Sequence, residues 1–392
     1  MKEVLLYLNK NVRKDIFHIL LIFLGWKFLL VLTLLLSVMF LPLGATDRFL
    51  GGGIERYSPS PEVFAWANFD GEHYLSIAIF GYKSLEQAFF PVYPKLISLL
   101  SAPFSGDLYS AFTASVLSGL FISTIAFILA LIIFWDLILL DYKKDVAFLA
   151  MLALLTFPTA FFFSSLYNES LFLVLTLASF YSARKGKWGW AGIFGMIASA
   201  TRVFGILILP ALIIEAYLQR AHPKKILGLM LIPLGLLGYM LYQLQTVGDP
   251  LAFYNLQTIV GQQHQQGIVL LPQVFVRYIK MLISFDVTNI MYLTLVLEFM
   301  IGILFFVLPI IGYLKKVRLS YLFFAAAGFL LPTFTGSFSS VPRYVLVLFP
   351  SFIVMGIILS KQKKIIRVAF LLISFIWLVI EASLFFRGYW VA

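Results

Sequence analysis

Apolar runs of about 20 residues recur along the whole chain, and they constrain its fold more than any other feature. Each run is long enough to cross the roughly 30 Å hydrocarbon core of a bilayer as a helix. Of the 392 residues, 61% are hydrophobic and 12% are charged, whereas an average soluble domain has about 25% charged residues. A soluble fold cannot bury so many helices that are apolar on all sides. The sequence therefore predicts an all-α polytopic membrane protein with one transmembrane domain over residues 1–392.

The apolar runs predict about eleven transmembrane helices. The first run is too long for the apolar region of a signal peptide, so we interpret it as a retained span. The predicted spans are 16–43, 109–140, 146–163, 166–183, 188–201, 203–219, 226–247, 291–314, 319–336, 343–360 and 365–385. The short spans on either side of Arg202 have two open interpretations, as two half-spans or as one bent hairpin.

The positions of the basic residues predict the orientation. With the N-terminus in the cytoplasm, all six cytoplasmic segments carry Lys or Arg, for example Lys143 and Lys144. An even number of spans would break this alternation, so the C-terminus is expected outside. Basic clusters between apolar runs suit loops on an anionic leaflet. The net charge of +11 therefore does not indicate a nucleic-acid partner.

Two long loops are predicted on the non-cytoplasmic side, at about 44–108 and 248–290. Long ordered loops are usually functional. The first loop carries seven of the 18 carboxylates and two short amphipathic stretches, which are expected to lie as helices in the membrane interface. The second loop includes a Gln-rich segment at 261–267 around His264, for which an ordered functional loop and a solvated mobile tip are both open.

The most informative segment of the first loop is centred on Asp70. On a helix, Asp70, His73 and Tyr74 share one face, and Glu72 points about 200° away from Asp70. Asp70 is either an N-cap of this helix or a catalytic carboxylate, and the two roles are compatible. A metal-binding Asp-x-Glu pair would require an extended conformation here. The chain has no Cys and four His, none paired at helical spacing, so no zinc site is expected.

Further polar residues are predicted at the same end of several spans. Placing Arg or Asp at bilayer depth costs roughly 2.5–3.5 kcal/mol, so such residues face a cavity or a partner. Asn168 and Glu169 lie between the third and fourth spans, Arg202 between the two short spans, and Arg343 and Tyr344 at the start of the tenth. Each Arg is either a snorkelling residue or a bidentate phosphate ligand.

Three motifs in the first half of the chain, and a shorter one in the second half, carry a resemblance to a known family. They are Phe69-Asp70-Gly71-Glu72-His73-Tyr74-Leu75-x-Ile77-Ala78-x-x-Gly81-Tyr82 with Phe89-Phe90-Pro91-x-Tyr93-Pro94, Phe157-Pro158-x-x-x-Phe162-Phe163-Ser164-x-x-Tyr167-Asn168-Glu169-Ser170-Leu171-Phe172, Ala200-Thr201-Arg202-x-x-Gly205, and Pro342-Arg343-Tyr344. In this order they resemble the GPI mannosyltransferase 2 (PIG-V) family of membrane glycosyltransferases. The chain departs from that family at Phe69, where Trp usually precedes the Asp, and this change keeps an aromatic residue beside the carboxylate.

The resemblance implies a GT-C-like membrane glycosyltransferase with a polyprenyl- or dolichyl-phosphate sugar as donor. No cofactor is expected, and a divalent metal is an open alternative that is not expected. The expected reaction is inverting transfer of a sugar, expected to be mannose, to a hydroxyl of a glycolipid, polymer or protein on the non-cytoplasmic face. Asp70 is expected to be the general base. The residues expected to bind substrate are Glu72, His73, Tyr74, Asn168, Glu169, Arg202, Arg343 and Tyr344. The expected location is the plasma membrane of a prokaryote, or the endoplasmic reticulum of a eukaryote.

Two other functions stay open from the sequence. A transporter or flippase of a lipid-linked sugar would use a similar charged cavity, but it would distribute charges through the bilayer and show an internal repeat. In this sequence the charges gather on one face and no strong repeat is present. A non-catalytic subunit of a membrane complex is the third alternative, and the intact Asp-containing loop argues against it.

Overall fold

The computed structural model describes residues 2–44, 50–256 and 269–391, with side chains from residue 14 onward. The Gln-rich segment 261–267, including His264, lies outside these residues, so its interpretation stays open. The described chain consists of α-helices joined by loops and short 3-10 helices, which confirms the all-α prediction. In chain order, the helices are α1 Lys2–Phe40, α2 Ile54–Tyr57, α3 Pro61–Phe64, α4 Asp70–Phe80, α5 Val92–Ser101, α6 Leu108–Leu139, α7 Lys144–Leu155, α8 Glu169–Arg184, α9 Trp188–Ser199, α10 Ile208–Leu218, α11 Pro223–Ile226, α12 Ile232–Val247, α13 Ala252–Asn255, α14 Leu271–Ser284, α15 Met291–Leu314, α16 Leu319–Thr333, α17 Val341–Tyr344, α18 Phe349–Ser360 and α19 Lys364–Phe386.

Five helices in the described part of the chain are long and apolar enough to cross a membrane. They are Lys14–Phe40, Leu108–Leu139, Pro223–Val247, Met291–Leu314 and Lys364–Phe386. A sixth crossing is present if the pair Val341–Val347 and Phe349–Ser360, which is bent by 84°, forms one span. The chain is therefore a multi-pass membrane protein.

The predicted count of eleven spans is not confirmed. The remaining predicted spans do contain helices, but these are short: α7 and α9 have 12 residues each and rise only about 18 Å at 1.5 Å per residue. In the region of α7, the apolar sequence continues beyond Leu155, where the helix ends. Beyond Leu155 the chain reaches Pro158 and then forms the 3-10 helix Ala160–Ser164. Hydropathy counts both parts as one span, whereas the backbone changes direction between them.

The long loop predicted at about 44–108 contains short helices, as expected. The second amphipathic stretch forms α5, Val92–Ser101, and the 3-10 helix Ala102–Phe104 follows it. Pro94 lies in the first turn of α5, where its missing N–H has no cost. Helix α4 packs against both α5 and α6, so the loop is fixed to the long helix that follows it.

Close helix packing fixes the frame around this loop. Helix α6 packs along α8, α8 along α9, and α7 along α18. A Cβ atom at Gly356 of α18 would lie 2.7 Å from the carbonyl oxygen of Val146 and 2.8 Å from the Cβ of Ala150. Only glycine permits this approach, as is common between membrane helices.

Helix α14, in the predicted loop at about 248–290, is docked on the turn that leads to α17. Arg277 donates to the carbonyl of Gly336 at 2.7 Å. The hydroxyl of Tyr278 accepts from the backbone N–H of Phe338 at 3.1 Å and donates to the Glu298 carboxylate at 2.6 Å. These contacts hold the segment that precedes α17, the helix that carries Arg343.

Candidate active site

Asp70 is the first residue of α4, and the capping position before it is occupied by Phe69. Phe69 has φ 55° and ψ −120°, a positive φ that a bulky residue rarely adopts. Its ring packs against Phe385 and Trp390, with centroids 5.9 and 5.6 Å apart. The carboxylate of Asp70 accepts a hydrogen bond from a distant Arg, so the N-cap interpretation does not describe its main contact.

That partner is Arg343, whose Nη1 lies 2.6 Å from Oδ2 of Asp70. The two residues are 273 positions apart in the chain. Their side chains differ in exposure, since Arg343 is 9% exposed and Asp70 is 28% exposed. The carboxylate is therefore the accessible member of the pair.

A second ion pair continues inward from the first. The carboxylate of Glu169, at the start of α8, accepts from Nη1 of Arg202 at 2.9 Å and lies 3.7 Å from Nε of Arg343. Its side chain is 2% exposed, and its other oxygen, Oε2, is buried without a hydrogen bond. Asp70, Arg343, Glu169 and Arg202 thus form one four-charge network with no net charge. The predicted convergence of both Arg residues on the Asp70 loop is present in the structure.

Aromatic rings surround the two guanidinium groups. Arg343 lies over the rings of Phe162, Tyr167 and Tyr344, at 5.6, 5.5 and 5.2 Å from their centroids. The guanidinium of Arg202 lies 5.5 Å from the ring centroid of Tyr344, which belongs to the same cluster. Rings exclude water and attract cations through their π faces, so Tyr344 bridges the two cations without neutralising them.

Asn168 connects the two backbone segments that carry the inner ion pair. Its Nδ2 donates to the carbonyl of Thr201 at 3.0 Å. Asn168 immediately precedes Glu169, and Thr201 immediately precedes Arg202. Its observed contact is therefore a brace between Glu169 and Arg202.

His73 and Tyr74 lie on the Asp70 side of α4, as predicted, but they contact aromatic residues. The imidazole of His73 stacks on Phe89 with centroids 4.6 Å apart. Tyr74 packs edge-on against Phe89 and Tyr93, at 5.4 and 5.2 Å. Burial, followed by the nearby Glu169 carboxylate, raises the pKa of Tyr74 well above its usual value. The Tyr74 phenol therefore stays protonated near neutral pH.

Glu72 points away from Asp70, which agrees with the prediction from helical spacing. It lines a cavity of about 200 Å³ on the other face of α4, together with Gly52, Leu75, Ser76, Phe80 and Phe112. Because residues 70–80 are helical, the extended conformation needed for an Asp-x-Glu metal pair does not occur. Within the described ranges, no three His, Cys, Asp or Glu side chains are grouped to hold a metal ion.

Two contacts that the sequence did not predict also reach this region. The hydroxyl of Tyr167 donates to the carbonyl of Asn68, two residues before Asp70, at 2.8 Å. Lys27 of α1 has its Nζ 4.2 Å from the ring centroid of Trp66 and donates to the hydroxyl of Ser164. Tyr167 belongs to one of the quoted motifs, but no sequence pattern pairs it with Asn68.

Comparison with known proteins gives a family match and distant structural likenesses. The family model described as mannosyltransferase (PIG-V) matches residues 55–229. No curated protein matches the chain. Among solved structures, ArnT from Cupriavidus metallidurans is 15% identical with a TM-score of 0.49, covering 89% of this chain and 62% of its own. The Archaeoglobus fulgidus oligosaccharyltransferase is 15% identical with a TM-score of 0.44, covering 90% of this chain and 53% of its own.

This chain therefore spans about three fifths and about half of the lengths of those two proteins, respectively. The matched family region contains Asp70, Glu169 and Arg202, which are three of the four charges in the network. Residues 55–229 of this chain are therefore similar to the PIG-V mannosyltransferase family.

Proposed function

We propose that this protein is an inverting mannosyltransferase with a GT-C-like fold. It transfers mannose from a polyprenyl- or dolichyl-phosphate donor to a hydroxyl acceptor on the non-cytoplasmic face of the membrane. The observation that carries the proposal is the position of Asp70, which is the accessible end of a buried network containing two Arg residues.

Asp70 is the general base in this proposal. Inverting transfer needs a group that takes the proton from the acceptor hydroxyl as its oxygen bonds to the anomeric carbon. Tyr74 is protonated near neutral pH because burial raises its pKa. The Glu169 side chain is 2% exposed and lies between two guanidinium groups. Asp70 is 28% exposed, so it is the carboxylate that an acceptor reaches.

Arg343 and Arg202 stabilise the leaving phosphate in this reaction. The bond between the anomeric carbon and the phosphate oxygen breaks, and its electron pair stays on the phosphate as the acceptor bonds from the opposite face. Fixed cations in a site that excludes water stabilise such developing charge more than water does. Their rings and partner carboxylates hold both guanidinium groups before the donor arrives. Tyr344 lies beside both cations, and Asn168 braces the inner pair.

In this proposal the reacting hydroxyl of the acceptor lies at Asp70, and a more distant part of the acceptor reaches the cavity on the other face of α4. The cavity beside Glu72 has a carboxylate, the hydroxyl of Ser76 and two aromatic side chains, Phe80 and Phe112. Carboxylates bind sugar hydroxyls, and aromatic rings pack on the apolar faces of sugars. His73, stacked on Phe89, lines the approach to Asp70. The acceptor is a glycolipid, a polymer or a protein.

The proposed topology places this site outside the cytoplasm. The N-terminus is cytoplasmic, as the basic segments indicate, and the short helices complete eleven crossings together with their adjoining 3-10 segments. The lipid tail of the donor stays in the bilayer while its phosphate reaches the four-charge network. In a prokaryote the membrane is the plasma membrane, and in a eukaryote it is that of the endoplasmic reticulum.

The test is transfer of radiolabelled mannose from polyprenyl-phosphate mannose to octyl α-mannoside in proteoliposomes. Asp70→Asn keeps the shape of the side chain and removes the base, so we expect transfer to fall at least about 100-fold. Asp107→Asn is the matched control, because Asp107 lies in the same loop and is exposed, and it should transfer normally. The configuration of the product, determined by NMR, should be inverted.

Near-normal transfer by Asp70→Asn would remove Asp70 as the base. A wild-type protein that moves the donor between leaflets without transferring mannose would instead support the flippase alternative. Retention of configuration would contradict the single displacement.

A further inference from the structure

Asn68 is fully buried two residues before Asp70, and the polar atoms of its side chain are all hydrogen-bonded. Its Oδ1 accepts from the N–H of Gly51 at 2.8 Å. Its Nδ2 donates to the carbonyls of Phe385 at 2.8 Å and Phe386 at 3.3 Å. A buried amide with every group paired fixes its surroundings strongly, because any displacement leaves a polar group without a partner.

The backbone carbonyl of Asn68 is a second connection, and it leads directly to the site. It accepts from the hydroxyl of Tyr167 at 2.8 Å and from the N–H of Gly71 at 3.2 Å. Gly71 belongs to the first turn of α4, which carries Asp70. The ring of Tyr167 lies 5.5 Å from the guanidinium of Arg343. Tyr167 therefore contacts both the backbone before the carboxylate and the cation that binds the carboxylate.

Phe69, between Asn68 and Asp70, explains why such bracing is needed. Its φ of 55° with ψ of −120° is a conformation that L-residues avoid, and such residues persist only where their surroundings hold them. Asn68 holds the chain on one side, and the ring contacts with Phe385 and Trp390 hold Phe69 itself. Without these contacts the backbone would relax and would turn the Asp70 side chain away from Arg343.

We propose that Asn68 and the hydroxyl of Tyr167 are positioning residues, which hold the Asp70 carboxylate at its place beside Arg343. This inference rests on the proposed function, because the base must be aligned with the acceptor hydroxyl. Neither residue touches substrate. They act through the backbone, so they affect the rate of the chemical step more than the binding of donor.

Tyr167→Phe is the main variant, because it deletes one oxygen and keeps the ring beside Arg343. We expect kcat for transfer to octyl α-mannoside to fall about 10- to 100-fold, because small displacements of a catalytic group have effects of this size. The KM for polyprenyl-phosphate mannose should stay unchanged. Asn68→Asp, which keeps the acceptor for Gly51 but loses both donated bonds, should have a similar or larger effect.

Tyr57→Phe is the matched control. The Tyr57 hydroxyl is also buried and also donates to the carbonyl of Phe386, but it does not contact the Asn68 carbonyl. Removing it loosens the same attachment to α19 while leaving the bond to the backbone before Asp70 intact. We expect wild-type kcat for this variant.

Hydrogen–deuterium exchange in nanodiscs provides a readout that does not depend on activity. Tyr167→Phe should speed exchange at the amides of residues 69–74, and Tyr57→Phe should leave them as in the wild type. Unchanged exchange with unchanged kcat for Tyr167→Phe would overturn the inference, as would equal losses of kcat in Tyr167→Phe and Tyr57→Phe. If wild-type protein transfers no mannose while exchange changes as expected, the positioning contact stands and the proposed function fails.

Discussion

The four-charge network makes a quantitative prediction for Glu169. Glu169→Gln keeps the size of the side chain and its acceptor oxygen for Arg202, but removes the negative charge between two guanidinium groups. Two buried cations then face one carboxylate, that of Asp70. The variant therefore has an uncompensated positive charge in a site where the Arg202 and Arg343 side chains are only 10% and 9% exposed.

The expected cost follows from the distances. At 2.9 Å between Oε1 of Glu169 and Nη1 of Arg202, the Coulomb attraction is about 6 kcal/mol for an effective dielectric constant of about 20. Part of this attraction is offset by the desolvation that the charged Glu169 no longer undergoes in the variant. Removal of one partner from a buried pair typically costs about 3–5 kcal/mol. We expect the free energy of unfolding to fall by this amount.

The measurement is reversible unfolding in mixed micelles by titration with SDS, followed by tryptophan fluorescence. The double variant Glu169→Gln/Arg202→Gln removes both charges, so part of the lost stability should return, with a coupling free energy of about 1 kcal/mol or more. Asp15→Asn is the control, because Asp15 pairs with Lys144, whose side chain is 59% exposed. Such a surface pair contributes about 1 kcal/mol at most.

One outcome would refute this reasoning. If Glu169→Gln loses no more stability than Asp15→Asn, water must reach the network and the guanidinium groups are not held by their carboxylates. An additive double variant would lead to the same conclusion, since it would leave no coupling between Glu169 and Arg202.

Two further predictions concern the first outer loop. Glu72→Gln should raise the KM for octyl α-mannoside about tenfold, because a hydrogen bond to a charged group contributes about 1.5–3 kcal/mol. The KM for the donor should not change, and Glu55→Gln, at an exposed position, should behave as wild type. An unchanged KM for octyl α-mannoside in Glu72→Gln would exclude the cavity as part of the acceptor site. Hydrogen bonds from Ser110 lower the pKa of Asp107, which caps α6. Its stabilisation is present above the pKa of the unfolded chain and is lost as pH falls through the lower pKa of the folded protein. Asp107→Asn should remove this acid-dependent component from the unfolding free energy, and an unaltered pH profile would show that the cap contributes nothing.

Much of the site follows from helical geometry, which sequence spacing reports well. The spacing predicted that Asp70, His73 and Tyr74 share one face and that Glu72 points elsewhere, and the structure confirms both. Arg202 and Arg343 were expected on the same side because each charge in an apolar run needs a partner. The sequence could not identify which carboxylate each Arg binds, since the bond between Arg343 and Asp70 joins positions 273 residues apart.

Other features were inaccessible because they depend on backbone direction. A hydropathy profile does not distinguish an α-helix from a 3-10 helix, so the apolar segment through Pro158 resembles one continuous span. Asn68 looks like an ordinary polar loop residue, although it contacts backbone carbonyls 317 and 318 positions later in the chain. The sequence gives no indication of the positive φ of Phe69, because Phe rarely adopts that conformation.

The contacts around the first outer loop also set the order in which the protein can be completed during synthesis. The Nε of Arg387 donates to the carbonyl of Leu41 at 2.8 Å, and the N–H of Gly44 donates to the carbonyl of Arg387 at 2.8 Å. The ion pair of Asp70 likewise cannot form before Arg343 has been synthesised. The loop is synthesised early, and some 300 further residues are added before its partner Arg387 is synthesised. Until Arg343 is synthesised the Asp70 carboxylate lacks this cation, so the four-charge network is complete only once α17 has been made.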